Sequence, residues 1–238
     1  MRERLPIREY ARPVKWRSAA RRRIFRARLA RDVTIEGGHA TTYLGSAYGG
    51  WPVPLDAIDA DCVAYSVGAG GDISFDLELA RRCGCEVHAF DPTPEAARHV
   101  ASLNDPTVTF HPFAVWLNDG ELEMFGAANP RNMALSAVNL QNTHSSVRVP
   151  CRTIESVRRE LGHDHVDLIK LTVDGGEYQL VPQLDLERWG TRVLVVALHH
   201  NERPSRALAL ISDLHDRGFH PVARKGATGF TFLSANST

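Results

Sequence analysis

Short apolar runs alternate with helix-like segments along most of this chain. Residues 62–67 form a largely apolar run followed by glycines, which predicts a buried strand. In the next segment, 73–83, apolar side chains recur at helical spacing. The same two patterns are repeated downstream. They predict further strands at 86–90, 108–113, 166–173 and 192–199, and further helices at 94–103, 153–161 and 204–217.

The last part of the chain predicts a hairpin. Segments 219–224 and 229–234 are both strand-like and are joined by a short loop that contains glycine. Residues 121–125 predict a further hairpin arm or edge strand after an Asp-Gly turn at 119–120. Because strands and helices alternate and the strands are continuously apolar, we predict an α/β fold. Its sheet is mostly parallel, with helices on both faces and one antiparallel edge hairpin.

The charge is unevenly distributed, although 28 basic and 28 acidic residues cancel overall. Residues 1–31 contain twelve basic and two acidic side chains, so the rest of the chain is acidic. We interpret 1–31 as a basic N-terminal arm that can contact an anionic surface. The arm could form a helix with a weak apolar stripe or a solvated tail, and we favour the tail. Residues 32–60, with several glycines, Trp51 and two prolines, are an irregular lead-in, and 61–238 form one domain.

Composition narrows the class of protein. With 43% hydrophobic and 24% charged residues, the chain is typical of globular domains. No run reaches the roughly 18 apolar residues of a membrane-spanning helix. The basic start is also not followed by the apolar stretch of a secretory signal. The four cysteines lack the usual zinc spacing, so we expect reduced thiols, no metal site and a cytoplasmic protein.

The most informative motif joins the first two strands of the predicted domain. The first strand runs into Gly68-Ala69-Gly70, where glycines let the backbone turn tightly and approach a ligand closely. About twenty residues later, the second strand ends at Asp91, whose carboxylate can accept hydrogen bonds from both hydroxyls of a ribose. Ligands of open parallel sheets bind beyond the carboxyl ends of the strands. Together these features predict a cofactor that contains adenosine.

The residue that follows distinguishes between the adenosine cofactors. A dinucleotide fingerprint requires a third small residue inside the helix, but Ile73 occupies that position. S-adenosylmethionine has no pyrophosphate and needs only the first two glycines, so we predict it as the cofactor. An NAD(P)-linked oxidoreductase stays open as an alternative.

Five blocks of the sequence resemble the FkbM-type methyltransferases. Three of them have the sequences VGAGGDISFD, VHAFDPTP and LIKLTVDGGE, at 67–76, 87–94 and 168–177. The other two are YGGW in the lead-in, at 48–51, and LVVALH in a late strand, at 194–199. The resemblance covers about residues 43–235 in order. It implies the class I methyltransferase (Rossmann-like) fold, S-adenosylmethionine as donor, and methyl transfer to a hydroxyl oxygen of a small molecule or sugar.

By position, the resemblance also implies roles for single residues. Gly68 and Gly70 would line the methionine part of the cofactor. Asp91 would hold the ribose, and Ala114 would flank the adenine. The residues that neighbour these positions are expected in the same site: Ser66, Ala69, Asp72 and Pro92.

The chain departs from the family pattern at positions that concern catalysis. Members of the family often have acids where Ser66, Thr172 and Ala197 stand in this sequence. A catalytically weakened, methyltransferase-like binding protein is therefore the main alternative to an active enzyme.

Methyl transfer to a hydroxyl requires alignment of the acceptor and removal of its proton. The residues at the ends of the fourth and fifth strands should face the methyl group, and His199 is one of them. We predict His199 as the general base, because the ordinary histidine pKa of about 6.5 suits proton removal near neutral pH. Asp174 would orient the imidazole or take the proton itself. Lys170 lies in an apolar strand and needs a partner such as Asp174 or Glu177, and it is the third catalytic candidate. Alternatively, Asp174, Glu177 and His199 could hold a divalent metal.

A long segment between predicted elements, 126–147, is rich in Asn, Ser and Ala. Such a segment in a compact domain often forms a lid or an acceptor loop. Trp51 and Trp116 are candidates for the walls of the acceptor pocket.

Overall fold

The structure, a computed structural model, describes residues 19–127 and 135–237. In chain order its strands are β1 (Thr42–Leu44), β2 (Trp51–Val53), β3 (Val63–Val67), β4 (Glu86–Phe90), β5 (Val108–His111), β6 (Ala114–Val115), β7 (Gly120–Gly126), β8 (Leu135–Ser136), β9 (Ser146–Arg152), β10 (Leu168–Leu171), β11 (Val193–Ala197), β12 (Phe219–Lys225) and β13 (Gly229–Ser234). Its helices are α1 (Ala19–Asp32), α2 (Ser74–Cys83), α3 (Pro94–Leu103), α4 (Ile154–Leu161), α5 (Glu177–Leu180) and α6 (Pro204–Asp216).

Seven strands form the central sheet, in the order β12-β13-β11-β10-β3-β4-β5. The strands from β11 to β5 are parallel, whereas β13 is antiparallel to both β11 and β12. The predicted mostly parallel sheet with one antiparallel edge hairpin is therefore confirmed. The chain proceeds from β3 toward β5 on one side and later returns to β10 on the other. This reversal of strand order beside β3 leaves a crevice at the carboxyl ends of the strands.

Side chains along β3 alternate between two cores, one on each face of the sheet. Tyr65 belongs to the core that also contains side chains of α4 and α6. Ala64 belongs to the core that contains side chains of α2 and α3. Helices therefore cover both faces, as predicted. The hydroxyls of Thr93 and Thr153 cap the amino ends of α3 and α4, and α2 ends at Gly84 in the left-handed conformation.

Part of the basic arm is a packed helix. In α1, Phe25 and Leu29 are fully buried and join the same core as α6, while the arginines around them are exposed. Arg224 donates to the carbonyl of Val33 (2.7 Å) just beyond the end of α1. The preference for a solvated tail is thus wrong for residues 19–31, and the packed domain includes this helix. Residues 1–18 of the predicted arm lie outside the described residues.

The lead-in is partly ordered by a small antiparallel pair, β1 and β2. The hydroxyl of Thr231 in β13 donates to the carbonyl of Pro52 in β2 (2.6 Å), so this pair lies against the edge hairpin. None of the helices in the described ranges has the length and hydropathy needed to cross a membrane.

A second sheet of four strands, in the order β6-β9-β7-β8, was only partly predicted. The expected arm at 121–125 is β7, which pairs antiparallel with both β8 and β9. β9 was missed because Pro150 interrupts a run in which most side chains are exposed. Residues 128–134, within the predicted lid, lie outside the described residues.

Candidate active site

A cavity of about 780 Å³ opens at the carboxyl ends of β3, β4, β10 and β11. This volume is within the usual range for small-molecule sites. The predicted catalytic residues, Lys170, Asp174 and His199, all reach its wall. So do all but one of the predicted cofactor residues: Gly68, Ala69, Gly70, Asp72, Asp91, Pro92 and Ala114.

The glycine turn after β3 has a conformation that favours glycine. Gly68 and Gly70 have φ angles of 85° and 58°, in the left-handed region. A Cβ atom at Gly68 would also collide with the carbonyl oxygen of Thr172, just beyond the end of β10. The hydroxyl of Thr172 donates to the carbonyl of Gly68 (2.8 Å), which ties the turn to the end of β10. The turn therefore presents bare backbone to the cavity.

Asp91 faces the glycine turn, as the adenosine prediction requires. Its Oδ2 accepts a hydrogen bond from the backbone N–H of Gly70 (2.9 Å). Its Oδ1 accepts bonds from the N–H (2.9 Å) and the hydroxyl (2.5 Å) of Thr93. A carboxylate has about four acceptor positions, so one further donor can be bound. The carboxylate is thus fixed at the cavity wall with capacity for a ligand hydroxyl.

Two predicted cofactor residues have other contacts. Ser66 is buried in β3 and does not line the cavity; its hydroxyl accepts a hydrogen bond from the Lys170 ammonium (3.0 Å). Asp72 lines the cavity but binds the lead-in and the start of α2: Oδ2 accepts from the hydroxyl of Ser46 (2.5 Å), and Oδ1 accepts from the N–H of Ser74 (2.9 Å). Burial raises the pKa of Asp72, but these hydrogen bonds lower it to about 2. The structure thus places Ser66 inside the sheet, bonded to Lys170, rather than at the cavity wall where a cofactor residue was expected.

Lys170 has a different partner from the two that were expected. Its side chain is 3% exposed, and its Nζ lies 3.8 Å from Oδ2 of Asp76, a fully buried residue of α2, rather than beside Asp174 or Glu177. Lys170 also lies over the ring of Phe75, 5.4 Å from its centroid. Within the described residues, neither oxygen of Asp76 has a hydrogen-bond partner. The pair joins α2 to the floor of the cavity.

The turn between β10 and α5 is organised by Glu177. This fully buried carboxylate accepts hydrogen bonds from the N–H groups of Val173 (3.2 Å) and Gly175 (2.9 Å). Asp174, between them, has a φ of 48°, a conformation that few residues other than glycine adopt. The backbone carbonyl of Asp174 accepts a bond from Ser136 in β8 (2.7 Å). The backbone around Asp174 is thus held by Glu177 on one side and by Ser136 on the other, and this keeps the Asp174 side chain at the cavity wall.

His199 lies between two carboxylates. Its Nε2 is 2.9 Å from Oδ1 of Asp174, and its Nδ1 is 2.8 Å from Oε1 of Glu177. Burial lowers the pKa of His199, but the charges and hydrogen bonds of Glu177 and Asp174 outweigh burial and raise it well above its ordinary value. Both ring nitrogens thus face carboxylate oxygens, an arrangement that favours the protonated ring and disfavours the neutral general base expected from the sequence.

The same geometry disagrees with a metal bound by Asp174, Glu177 and His199. The two carboxylates contact opposite nitrogens of one imidazole ring. A single ion could be bound by only one of these nitrogens, so the three side chains do not converge on one point.

Aromatic rings and one basic residue form the outer wall. Trp51 and Trp116 line the cavity, as predicted, and so do Leu135 and Ala137 from the described part of segment 126–147. Lys225 was missed: its Nζ lies 5.0 Å from the Trp51 ring centroid, and it donates to the carbonyl of Tyr48. No sequence pattern marked this lysine, because its place depends on how β12 meets the lead-in.

Comparison with known proteins gives a family match over most of the chain. The family model for the methyltransferase FkbM domain matches residues 61–221. Probable methyltransferase-like protein 24 from Homo sapiens is 29% identical over 127 residues, which are 53% of this chain and 29% of that protein. The protein of the same name from Rattus norvegicus matches with the same identity and coverage. The match thus spans less than a third of the length of these curated relatives.

Solved structures of low sequence identity also resemble the chain. The METTL16 methyltransferase domain matches over 90% of this chain and 79% of its own, with a TM-score of 0.45 and 14% identity. The fibrillarin pre-rRNA processing protein of Methanococcus jannaschii matches over 75% of this chain and 68% of its own, with a TM-score of 0.44 and 13% identity.

Proposed function

Because this chain belongs to the family of FkbM methyltransferase domains, we propose that it transfers a methyl group from S-adenosylmethionine to a hydroxyl oxygen of a small molecule or sugar. Family membership makes the chain a methyltransferase whose cofactor is S-adenosylmethionine. Family membership therefore favours methyl transfer over the alternative of an NAD(P)-linked oxidoreductase.

The residues at the carboxyl ends of β3 and β4 fit this cofactor. The turn at Gly68 and Gly70 offers bare backbone to the cavity, where any side chain at Gly68 would collide with Thr172. Asp91 keeps acceptor capacity for a ribose hydroxyl at the same wall. We assign Gly68 and Gly70 to the methionine part, Asp91 to the ribose and Ala114 to the adenine.

One observation carries the proposed chemistry: a partly exposed carboxylate is held at the cavity wall by a histidine ring that a buried carboxylate anchors. The side chain of Asp174 is 44% exposed, whereas Glu177 on the far side of His199 is fully buried. Nε2 of His199 fixes Oδ1 of Asp174, and the contact of Nδ1 with Glu177 fixes the ring. Asp174 is therefore the carboxylate that an acceptor can reach.

S-adenosylmethionine, when bound, supplies a methyl carbon that is already activated by a positively charged sulfur. The protein has to orient the acceptor and receive its proton. We assign proton acceptance to the Asp174 carboxylate. His199 is a positioning residue, because both of its ring nitrogens contact carboxylates.

The remaining walls support a hydroxyl acceptor. A carboxylate accepts the O–H hydrogen and so directs the oxygen, while aromatic rings cover apolar C–H surfaces of the same molecule. Trp51 and Trp116 provide such rings in the cavity that contains Asp174. Sugars and small polyols combine both kinds of surface, so they are the acceptors that we propose.

Cofactor binding is tested with Asp91→Asn, which keeps the size of the side chain and removes its charge. A hydrogen bond to a charged group contributes about 1.5–3 kcal/mol, so the affinity for S-adenosylmethionine is expected to fall at least tenfold. Isothermal titration calorimetry measures it. Asp213→Asn on α6 is the matched control, because its carboxylate is exposed and lies outside the cavity. Unchanged affinity in Asp91→Asn would show that the ribose is held elsewhere.

Turnover is tested with Asp174→Asn, since Asn tolerates the left-handed conformation that this position requires. Formation of S-adenosylhomocysteine is followed with a panel of sugars and polyols. We expect the rate to fall about 10²–10⁴-fold with cofactor affinity unchanged. If the wild-type protein binds the cofactor but methylates no hydroxyl in the panel, the alternative of a catalytically weakened binding protein is favoured. That alternative is motivated by Thr172 and Ala197, which stand where family members often have acids.

A further inference from the structure

A second cluster of polar side chains lies at the other end of β4, away from the glycine turn. Glu86 is the first residue of this strand, whereas Asp91 follows its last residue, about 16 Å further along. His88 is buried in the same strand, and His163 reaches it from the loop after α4. The methyl-transfer chemistry uses none of these three residues.

Three ligand atoms converge in this cluster. The Nε2 atoms of His88 and His163 lie 2.9 Å and 3.2 Å from the same carboxylate oxygen, Oε1 of Glu86. All three atoms lie within 4.8 Å of one another. Two nitrogens and one oxygen bound to a tetrahedral zinc ion at about 2.0–2.2 Å would be roughly 3.3–3.5 Å apart. The Glu86 side chain is 59% exposed, and small shifts of it would give its oxygen this spacing from both nitrogens.

The outer ring nitrogens also have the partners that a metal site requires. Nδ1 of His88 is 2.9 Å from Nε2 of His111, and Nδ1 of His163 is 2.8 Å from the hydroxyl oxygen of Tyr65. Metal-ligating histidines almost always donate their second N–H to such a partner, which fixes the ring and its tautomer. Both partners can accept this hydrogen bond, so both Nε2 lone pairs would point at the ion.

We propose that Glu86, His88 and His163 form a binding site for a divalent transition metal of the Zn²⁺ type. Two imidazoles and a carboxylate are ligands that suit Zn²⁺. The ion would link β4 to the loop after α4, and the exposed side of Glu86 would leave a fourth position for water. The site is separate from the proposed methyl-transfer residues, so neither proposal depends on the other.

The site is tested by titrating the full chain with ZnCl₂ at pH 7.5 in a buffer that does not chelate metals. Calorimetry should detect one site that is weakened at least tenfold by Glu86→Gln and by His163→Gln. Tyr65→Phe keeps the ring and removes only the outer hydrogen bond, and should weaken binding about 10–100-fold. Circular dichroism and melting without metal identify any variant that fails to fold. Glu86→Gln is the least disruptive, because its side chain is largely exposed.

The matched control is His220→Gln. Glu36, His215 and His220 form a second group of possible ligands at a more exposed part of the surface. His220→Gln should keep the affinity of the wild type within about threefold. Loss of the site in this control would assign the zinc to that group and overturn the proposal. So would wild-type affinity in both Glu86→Gln and His163→Gln, or a wild-type chain that binds no zinc.

Discussion

The buried pair of Lys170 and Asp76 makes a quantitative test possible. With 3.8 Å between Nζ and Oδ2, the attraction is about 4 kcal/mol at an effective dielectric constant of about 20. Burial of both charges offsets much of this gain, so the pair as a whole contributes little. Lys170→Met is different, because it leaves a fully buried carboxylate without a cation. We expect it to lower the free energy of unfolding by about 3–5 kcal/mol.

Urea denaturation at pH 7 measures this loss, and a double-mutant cycle assigns it. Asp76→Asn alone should also destabilise, since Lys170 then stays buried with only the hydroxyl of Ser66 as its partner (3.0 Å). The double variant Lys170→Met/Asp76→Asn has neither charge, so it should be more stable than either single variant. If Lys170→Met is as stable as the wild type, or the two losses simply add, the ion pair is not what stabilises this part of the fold.

Two further predictions concern other parts of the molecule. His199→Gln should destabilise most below the unfolded histidine pKa of about 6.5, because the folded pKa of His199 is raised. The stability gap to the wild type should narrow as the pH rises from 6.5 through that raised pKa, and urea titrations at several pH values would contradict this if the gap stayed constant. Phe25→Ala should cost about 3–5 kcal/mol, because the ring is fully buried between α1 and the core. The exposed neighbour Ile24→Ala is the control, and equal melting temperatures of the two variants would contradict the packing of α1.

The central sheet was predictable because its signal is local. Continuous apolar strands between amphipathic helices leave few alternatives, and the glycine turn with Asp91 marks the crevice in the same way. The second sheet was harder, because β9 contains Pro150 and exposes most of its side chains. The burial of Phe25 and Leu29 in α1 could not be predicted, because two apolar residues among arginines do not indicate that they pack in the core with α6.

The catalytic residues show a different limit. Asp174, Glu177 and His199 were all named from the sequence, and the structure brings them together. The charge state of the histidine could not be predicted, since it depends on which nitrogen each carboxylate contacts. The partner of Lys170 was also missed, because Asp76 lies in α2, almost a hundred residues earlier in the chain. The charge state of His199 and the partner of Lys170 both depend on distances between remote segments of the chain. Local sequence patterns carry no information about these distances.

The packing of α1 affects how its positive charge can be studied. Deleting residues 1–31 would remove arginines, but it would also remove Phe25 and Leu29 from the core that they share with α6. A loss of binding to anionic surfaces after such a truncation would therefore have two explanations. Exchanging exposed arginines of α1 for glutamine, with both apolar side chains retained, separates electrostatic attraction from the integrity of the domain.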